Sequence, residues 1–247
     1  MLDFSLLDYA LVGIAGFVVG VINGMVGGAS VIVYTVLLGI GLNPVAAVVT
    51  NGWGVMPANL MALRAYNGKL GELYRQNWKL VWLSILGTVI GAVALLNMPM
   101  ATLEKAVPIL LLIAGLSVLI PVKTDVAEIS EVKEQAAIFG TGIYCGYFGP
   151  GQGVMVAATL ARDHRRNPAH LNALKNFITG FTSLVSNFIF LASGQIYWGL
   201  VLLLAVTSGY GGLIGARRAG QMSPKVYRAA LLSVAGFASI WFFIKFY

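Results

Sequence analysis

Two glycine-rich stretches that interrupt hydrophobic sequence decide the fold of this chain. Residues 23–30 read NGMVGGAS, and residues 149–153 read GPGQG. Each stretch is followed downstream by an Asn-Pro pair, at residues 43–44 in the first half and 167–168 in the second. Interruptions at matching places in two halves of a membrane protein are the best sequence indication of a transporter's substrate site.

The composition is that of a membrane protein. Hydrophobic residues make up 58% of the 247 residues and charged residues only 10%, whereas a soluble domain carries roughly 25% charged residues. The net charge of +7 is explained by basic loops on the cytoplasmic side of a membrane. We therefore expect a polytopic membrane protein that does not bind nucleic acid.

Apolar runs that approach or exceed the roughly 20 residues of a spanning helix fall into two groups of four, separated by one polar stretch. We expect a first transmembrane repeat at residues 1–121, a cytoplasmic linker at 122–135 and a second repeat at 136–247. The apolar runs are 9–40, 44–64, 78–97, 102–121, 136–161, 168–192, 197–216 and 226–246.

The charges of the loops predict the orientation. Three loops are rich in Lys and Arg, and three turns carry no charge, so the basic loops are assigned to the cytoplasm and the uncharged turns to the outside. The basic loops are 64–79, 162–166 and 217–228, and the uncharged turns are 41–43, 97–100 and 193–196.

This orientation makes segment 136–161 begin and end in the cytoplasm, and segment 9–40 begin and end outside. Both contain a glycine stretch, so each is expected to be a re-entrant helical hairpin broken there. The predicted fold is an all-α polytopic membrane protein of two inverted-topology repeats, each a glycine-broken hairpin plus three transmembrane helices. The alternative is one long tilted helix at each break, with eight spans and a parallel repeat.

Non-helical backbone at membrane depth must be buried in protein or line a wet cavity. The half-helix after each break would expose unpaired N–H groups and the positive end of its dipole, which suit an anion. We therefore expect the two breaks to form two halves of an anion cradle near the middle of the bilayer. The candidate residues are Gly27, Gly28 and Ser30 in the first break and Gly151, Gln152 and Gly153 in the second.

Other polar residues inside the apolar segments extend this site. No Asp or Glu lies near the middle of a predicted segment, which is unlike cation transporters and proton relays. Lys175 either contributes to an anion pathway or extends to the cytoplasmic surface. Asn51 and Asn176 either line the substrate or bond between helices. Thr50 and Thr179 complete the candidates. Asn23, Asn59 and Asn187 are weaker ones.

The order of these motifs resembles the sulfite exporter TauE/SafE family over nearly the whole chain. Gly16 and Gly20 lead into the first glycine stretch, and Pro44, Ala47, Thr50 and Asn51 follow it as P-x-x-A-x-x-T-N. The second half departs from the pattern through its GPGQG sequence and through Lys175 near the place of Thr50. The resemblance implies a small permease for sulfite, organosulfonates or similar small anions in the cytoplasmic membrane.

The sequence favours no enzymatic activity. It contains no Walker motif, no Ser/His/Asp constellation and no His/Cys pattern with metal-ligand spacing, so we expect no cofactor and no metal. Cys145, the single cysteine, is expected to pack as a small hydrophobe. The expected partners are a small anion and the lipid bilayer, with a homodimer left open. The expected function is secondary transport by rocking of one repeat against the other, and the alternatives are an anion channel and a membrane assembly factor.

Overall fold

The computed structural model describes residues 4–25, 27–66, 68–117, 129–163 and 166–218. All regular structure in these ranges is helical, which confirms the predicted all-α class. The predicted segment 226–246 and residues 122–128 of the predicted linker lie outside the described residues. The helices are α1 Leu6–Met25, α2 Ser30–Gly39, α3 Pro44–Ala62, α4 Leu70–Asn97, α5 Met100–Ser117, α6 Glu131–Tyr147, α7 Gln152–Leu160, α8 Pro168–Phe190 and α9 Trp198–Arg217.

Several of these helices suit a bilayer. Four are long and apolar enough to cross a membrane: α1, α4, α9, and α8 together with the short 3₁₀ turn Leu191–Ser193. Both predicted hairpin segments are divided in two, since α1 and α2 are separated at the first glycine stretch and α6 and α7 at the second. The chain is a multi-pass membrane protein in which both glycine stretches interrupt helices.

The Asn-Pro pairs begin helices in both halves, as predicted. The side chain of Asn43 accepts a hydrogen bond from the Ala46 N–H at 2.9 Å, and that of Asn167 accepts one from the His170 N–H at 2.8 Å. Each is followed by a proline in the first helical turn, where the missing N–H has no helical partner to lose. α3 and α8 therefore begin in the same way.

Two helices begin earlier than the hydrophobic pattern predicts. α6 starts at Glu131, inside the predicted linker, with acidic residues in its first turn, where the positive end of the dipole favours them. α4 starts at Leu70 rather than at residue 78, and its backbone is non-helical at Asn77 (φ −124°, ψ 18°). Hydropathy located the apolar part of each helix but not the polar turns that extend it.

Glycines bring α1 and α9 into backbone contact. A Cβ added at Gly20 would collide with the Ser208 carbonyl, and one at Gly24 would collide with the Gly212 carbonyl. Small residues allow this close approach between membrane helices. Because residue numbers rise together along the two helices, α1 and α9 run parallel.

The pair α4 and α6 is packed in the same way. Gly87 lies against the carbonyl of Phe139, and Gly91 lies against that of Ile143. These two helices also run parallel, since the contacts advance together along both chains. The two tight pairs thus each join one helix of the first half to one helix of the second.

α3 and α8 cross each other in opposite directions. Gly52 of α3 faces the amide oxygen of Asn187, whereas Leu60, two turns later, packs on Gly180. Residue numbers rise along one helix as they fall along the other. α3 and α8, which begin with the same Asn-Pro motif, therefore run antiparallel.

The two ends of the segment from α6 to α7 lie together. The Ile129 N–H donates to the Arg162 carbonyl at 3.3 Å. Arg166 pairs with the buried carboxylates of Glu134 and Asp163, so the buried charges are paired, as low polarity requires. The residues at the start of α6 and those after α7 are therefore in contact.

The two ends of the segment from α1 to α2 also lie near a common part of the structure, the connection between α8 and α9. The ring of Phe4, just before α1, contacts that of Tyr197 at 5.6 Å between centroids. Asn43, just before α3, donates to the Gln195 side chain at 3.0 Å. Both ends of this segment therefore adjoin the short connection between α8 and α9.

Candidate functional site

The two glycine breaks meet inside the helical assembly. A Cβ added at Gly27 would lie 3.1 Å from the carbonyl carbon of Gly153, and one at Gly28 would collide with the side chain of Val154. The Ser30 hydroxyl accepts a hydrogen bond from the Gly151 N–H at 3.3 Å. The predicted encounter of the two breaks is therefore present in the structure.

Glycine is required here by backbone conformation as well as by space. Gly28 has φ +86° and Gly151 has φ +93°, a left-handed region that other residues rarely adopt. These angles allow the backbone to turn between α1 and α2 and between α6 and α7. A side chain at either position would strain the turn that begins the second half-helix.

A cavity of about 50 Å³ lies between the breaks, α3 and α8. A space of this size holds a few water molecules or one small oxyanion. Its lining is Asn23, Gly27, Gly28, Ser30, Val48, Asn51, Gly52, Val55, Met56, Asn59, Cys145, Phe148, Gly149, Gln152, Gly153, Thr179, Ser183, Ser186 and Phe190.

The part of the lining that the structure describes offers neutral hydrogen-bonding groups and no charged side chain. Hydroxyls come from Ser30 and from α8, and amides come from α1, α3 and α7. Both α2 and α7 begin at this cavity, at Ser30 and Gln152. The start of a helix carries about +0.5 elementary charge, so the cavity lies between two positive dipole ends.

Seven of the predicted site residues come together around this cavity. Asn51 is only 3% exposed, and its amide oxygen is buried without a hydrogen-bond partner. The Gln152 amide hydrogen-bonds the Thr182 hydroxyl at 3.2 Å. The predicted residues in the lining are Gly27, Gly28, Ser30, Asn51, Gln152, Gly153 and Thr179.

The other four predicted residues are buried next to the cavity but outside its lining. The Thr50 hydroxyl accepts from the Tyr197 N–H at 3.3 Å, and Gly151 donates to Ser30. The Asn176 amide lies 3.4 Å from that of Asn172, one turn earlier in α8. The contact of Asn176 thus lies within α8 rather than between helices, and its amide oxygen is buried without a hydrogen-bond partner.

Lys175 is the fourth of these residues. Its side chain is 1% exposed, so it does not extend to the surface as one interpretation proposed. Its ammonium donates to the backbone carbonyl of Asn23 at 2.9 Å, across from α8 to the end of α1. A buried cation in a membrane protein needs such a partner.

Sequence reasoning missed part of the lining. Ser183 and Ser186 follow Thr179 at helical spacing on one face of α8, so the 3.6-residue period could have found them. Cys145, expected only to pack, lines the cavity. Of the weaker candidates, Asn23 and Asn59 line it, whereas Asn187 contacts the Met56 sulfur at 3.7 Å.

Comparison with known proteins identifies the family. A model of the family described as "Sulfite exporter TauE/SafE" matches residues 12–242. The chain belongs to this family. The family is one of membrane permeases, in agreement with the resemblance found in the motifs.

Relatives cover almost the whole chain. A "Probable membrane transporter protein" of Haemophilus influenzae is 27% identical over 227 residues, 87% of each chain. "Probable membrane transporter protein ORF9" of Sinorhizobium sp is 25% identical over 95% of this chain and 91% of the relative. "Probable membrane transporter protein YfcA" of Escherichia coli is 23% identical over 93% and 88%. No solved structure matches the chain significantly.

Proposed function

We propose that this membrane transporter is a secondary exporter or permease for a small sulfur-containing anion, such as sulfite or an organosulfonate, across the cytoplasmic membrane. The observation that carries the proposal is the cavity between two helix starts, whose described lining residues supply hydroxyls and amides and no charged side chain. The family description names sulfite, and the cavity's chemistry agrees with an oxyanion.

The electrostatics favour an anion over a cation. Two positive dipole ends and the Ser30 hydroxyl solvate negative charge in a site from which most water is excluded, whereas the Thr179 and Ser186 hydroxyls donate to carbonyls of their own helix. A cation would find no carboxylate among the lining residues. Asn51 supplies a hydrogen-bonding group still without a protein partner, and its amide can turn to present NH₂ donors to an oxyanion.

The helix directions support an inverted repeat with two re-entrant hairpins. α3 and α8 begin with the same motif and run antiparallel. The tight pairs also match, because α1 packs on α9 as α6 packs on α4. The two ends of each glycine-broken segment lie near each other. Two halves related by a two-fold axis in the membrane plane account for all three observations.

The packing also suggests which parts move in alternating access. α9 packs on both α1 and α3, and α4 packs on both α6 and α8. These contacts define two groups of three helices: α1, α3 and α9 form one group, and α4, α6 and α8 form the other. Each group contains helices from both repeats. We propose that these two groups move relative to each other about the α3–α8 contact, so that the moving bodies are not the repeats themselves.

Flux measurements test the substrate class. In proteoliposomes, we expect protein-dependent uptake of sulfite or a small sulfonate that exceeds uptake of carboxylates, because the cavity fits a compact oxyanion. The panel should contain sulfite, taurine, sulfate and acetate, each with and without a pH gradient. Coupling to the gradient indicates a secondary transporter, whereas gradient-independent conductance indicates a channel.

A test variant and a control variant accompany this assay. Asn51→Ala removes the unpartnered amide of the cavity and should lower flux at least about tenfold, the effect of losing one hydrogen bond to a charged group. Asn97→Ala removes an exposed amide at the end of α4 and should leave flux unchanged. Binding and flux at background level for every anion in the panel would rule out the anion proposal.

Cysteine labelling tests the topology. In a Cys145→Ala background, Arg162→Cys should react with a membrane-impermeant maleimide only after the cells are opened, because the basic loop is predicted to be cytoplasmic. Ala192→Cys, at the exposed end of α8, should react in intact cells. Labelling of position 162 from outside would contradict the inverted topology and favour the parallel repeat.

A further inference from the structure

The end of α1 at the first break presents backbone carbonyls that have no partner within the helix. Three consecutive ones are bonded from elsewhere. Ile22 accepts from the Gly27 N–H at 3.1 Å, Asn23 from the Lys175 ammonium at 2.9 Å, and Gly24 from the Asn172 amide at 3.2 Å. Two of the three donors belong to α8.

The two donors of α8, Asn172 and Lys175, bond to the same end of α1. Asn172 and Lys175 are three residues apart in α8, so their side chains lie on the same face of the helix. Neither residue lines the cavity. Together they attach the end of α1 to α8 at the level of the break.

Asn23 connects this attachment to the cavity. Its backbone carbonyl accepts from Lys175, while its side chain accepts from the Ala29 N–H at 2.9 Å and lines the cavity. The glycines at 27 and 28 are held between these two contacts. Any shift of the Asn23 carbonyl must therefore move the backbone that forms one wall of the site.

The attachment also affects the local field. α1 and α6 end beside the cavity at which α2 and α7 begin, and the end of a helix carries about −0.5 elementary charge. An anion in the cavity would be repelled by the end of α1. The Lys175 ammonium bonds directly to one of its carbonyls and offsets this charge.

We propose that Asn172 and Lys175 are positioning residues, which hold the first break in place and neutralise the end of α1 without touching the substrate. This inference rests on the proposed anion transport and extends it. It assigns Lys175 a role different from the direct anion contact expected from the sequence, and it adds Asn172, which the sequence did not single out.

Substitutions at Lys175 test the proposal kinetically. Lys175→Met keeps the length of the side chain but removes the donor and the charge, and should raise KM for the transported anion about tenfold or more, because the first break is no longer held and the negative end of α1 is no longer offset. Lys175→Arg should restore most of the affinity. Asn172→Ala should raise KM less, because a neutral bond is lost. Lys79→Met, at an exposed ion pair with Glu131, is the matched control and should change nothing.

A second measurement separates positioning from direct binding. With Ser30→Cys in the Cys145→Ala background, the rate of labelling by a small thiol reagent reports the shape of the empty cavity. Lys175→Met should change this rate in substrate-free protein, and Lys175→Arg should restore it. An unchanged rate together with a raised KM would mean that Lys175 contacts the anion itself, and would overturn the proposal.

The labelling measurement needs no transported substrate. If the protein with its native Cys145 carries no anion in the panel, the proposed function fails while the positioning role is still tested. Thermal stability in detergent checks that each variant is folded. Where Lys175→Met does not fold, Asn172→Ala and Lys175→Arg provide the comparison, and equal labelling rates in both and in the parent would likewise contradict the positioning role.

Discussion

Gly142→Leu is expected to abolish the folded protein, whereas Gly140→Leu, two residues earlier in the same helix, is expected to be tolerated. A Cβ at Gly142 would collide with the backbone carbonyl of Ser84 in α4, and the Gly142 carbonyl accepts from the Thr88 hydroxyl at 3.2 Å. A Cβ at Gly140 meets nothing within 4 Å. The two glycines thus differ in their surroundings and in little else.

The size of the expected loss of stability depends on which groups can move to relieve the collision. Overpacking a core costs typically about 1–3 kcal/mol when side chains can adjust, but at Gly142 the obstacle is backbone. The α4–α6 pair would have to separate along its length, so we expect destabilisation of about 3 kcal/mol or more, a large part of the 5–15 kcal/mol that keeps a domain folded. At Gly140 the gain in helix propensity, up to about 1 kcal/mol, makes leucine neutral or favourable.

Fluorescence-detected size-exclusion chromatography and thermal unfolding in mild detergent measure both variants. Gly142→Leu should give little monodisperse protein, and Gly140→Leu should match the parent in yield and melting temperature. Equal behaviour of the two variants would show that the α4–α6 contact is not as close as the structure has it. Gly142→Ala should lie between them, since it introduces the collision with the smallest side chain.

Features of the chain that depend on local chemistry could be predicted from its sequence. The Asn-Pro pairs begin helices because the Asn side chain satisfies a free N–H and the proline has none to satisfy. The glycine stretches end helices because Gly28 and Gly151 adopt positive φ. Both effects act within a few residues, so the sequence contains all that is needed to find them.

Features that depend on distant backbone could not be predicted. Lys175 stands out in the sequence as a cation within an apolar segment, but its partner is the backbone carbonyl of Asn23, and every residue offers the same carbonyl. Gly140 and Gly142 look alike in sequence, and only the packing of α4 distinguishes them. Ser183 and Ser186 were overlooked because no break or charge marks them, although their spacing from Thr179 follows the period of a helix.

Cross-linking α1 to α9 is expected to leave transport intact, whereas cross-linking α3 to α8 is expected to stop it. If the moving bodies are α1, α3 and α9 on one side and α4, α6 and α8 on the other, the first link joins two helices of one body. The second link joins the two bodies. Were the repeats themselves to move as units, the α1–α9 link would join one repeat to the other and block the motion.

Two cysteine pairs in the Cys145→Ala background make this test. For α1 and α9 the pair is Gly13→Cys with Leu203→Cys, where a Cβ at position 13 lies 3.5 Å from the Leu203 side chain. For α3 and α8 it is Leu60→Cys with Gly180→Cys, where a Cβ at position 180 would lie 2.8 Å from the Leu60 side chain that the substitution removes. A short bifunctional methanethiosulfonate spans either pair, and a reductant releases it.

The expected result is preserved flux for the linked 13–203 protein and a loss of at least about tenfold for the linked 60–180 protein, as for any obligatory conformational step that is blocked. Flux should return on reduction, and the four single-cysteine variants should be unaffected by the reagent. Loss of flux on linking 13 to 203 would assign the motion to the repeats instead. Because α9 and α1 are joined backbone to backbone through Gly20 and Gly24, sliding between them would break their closest packing, whereas α3 and α8 meet through side chains that can repack.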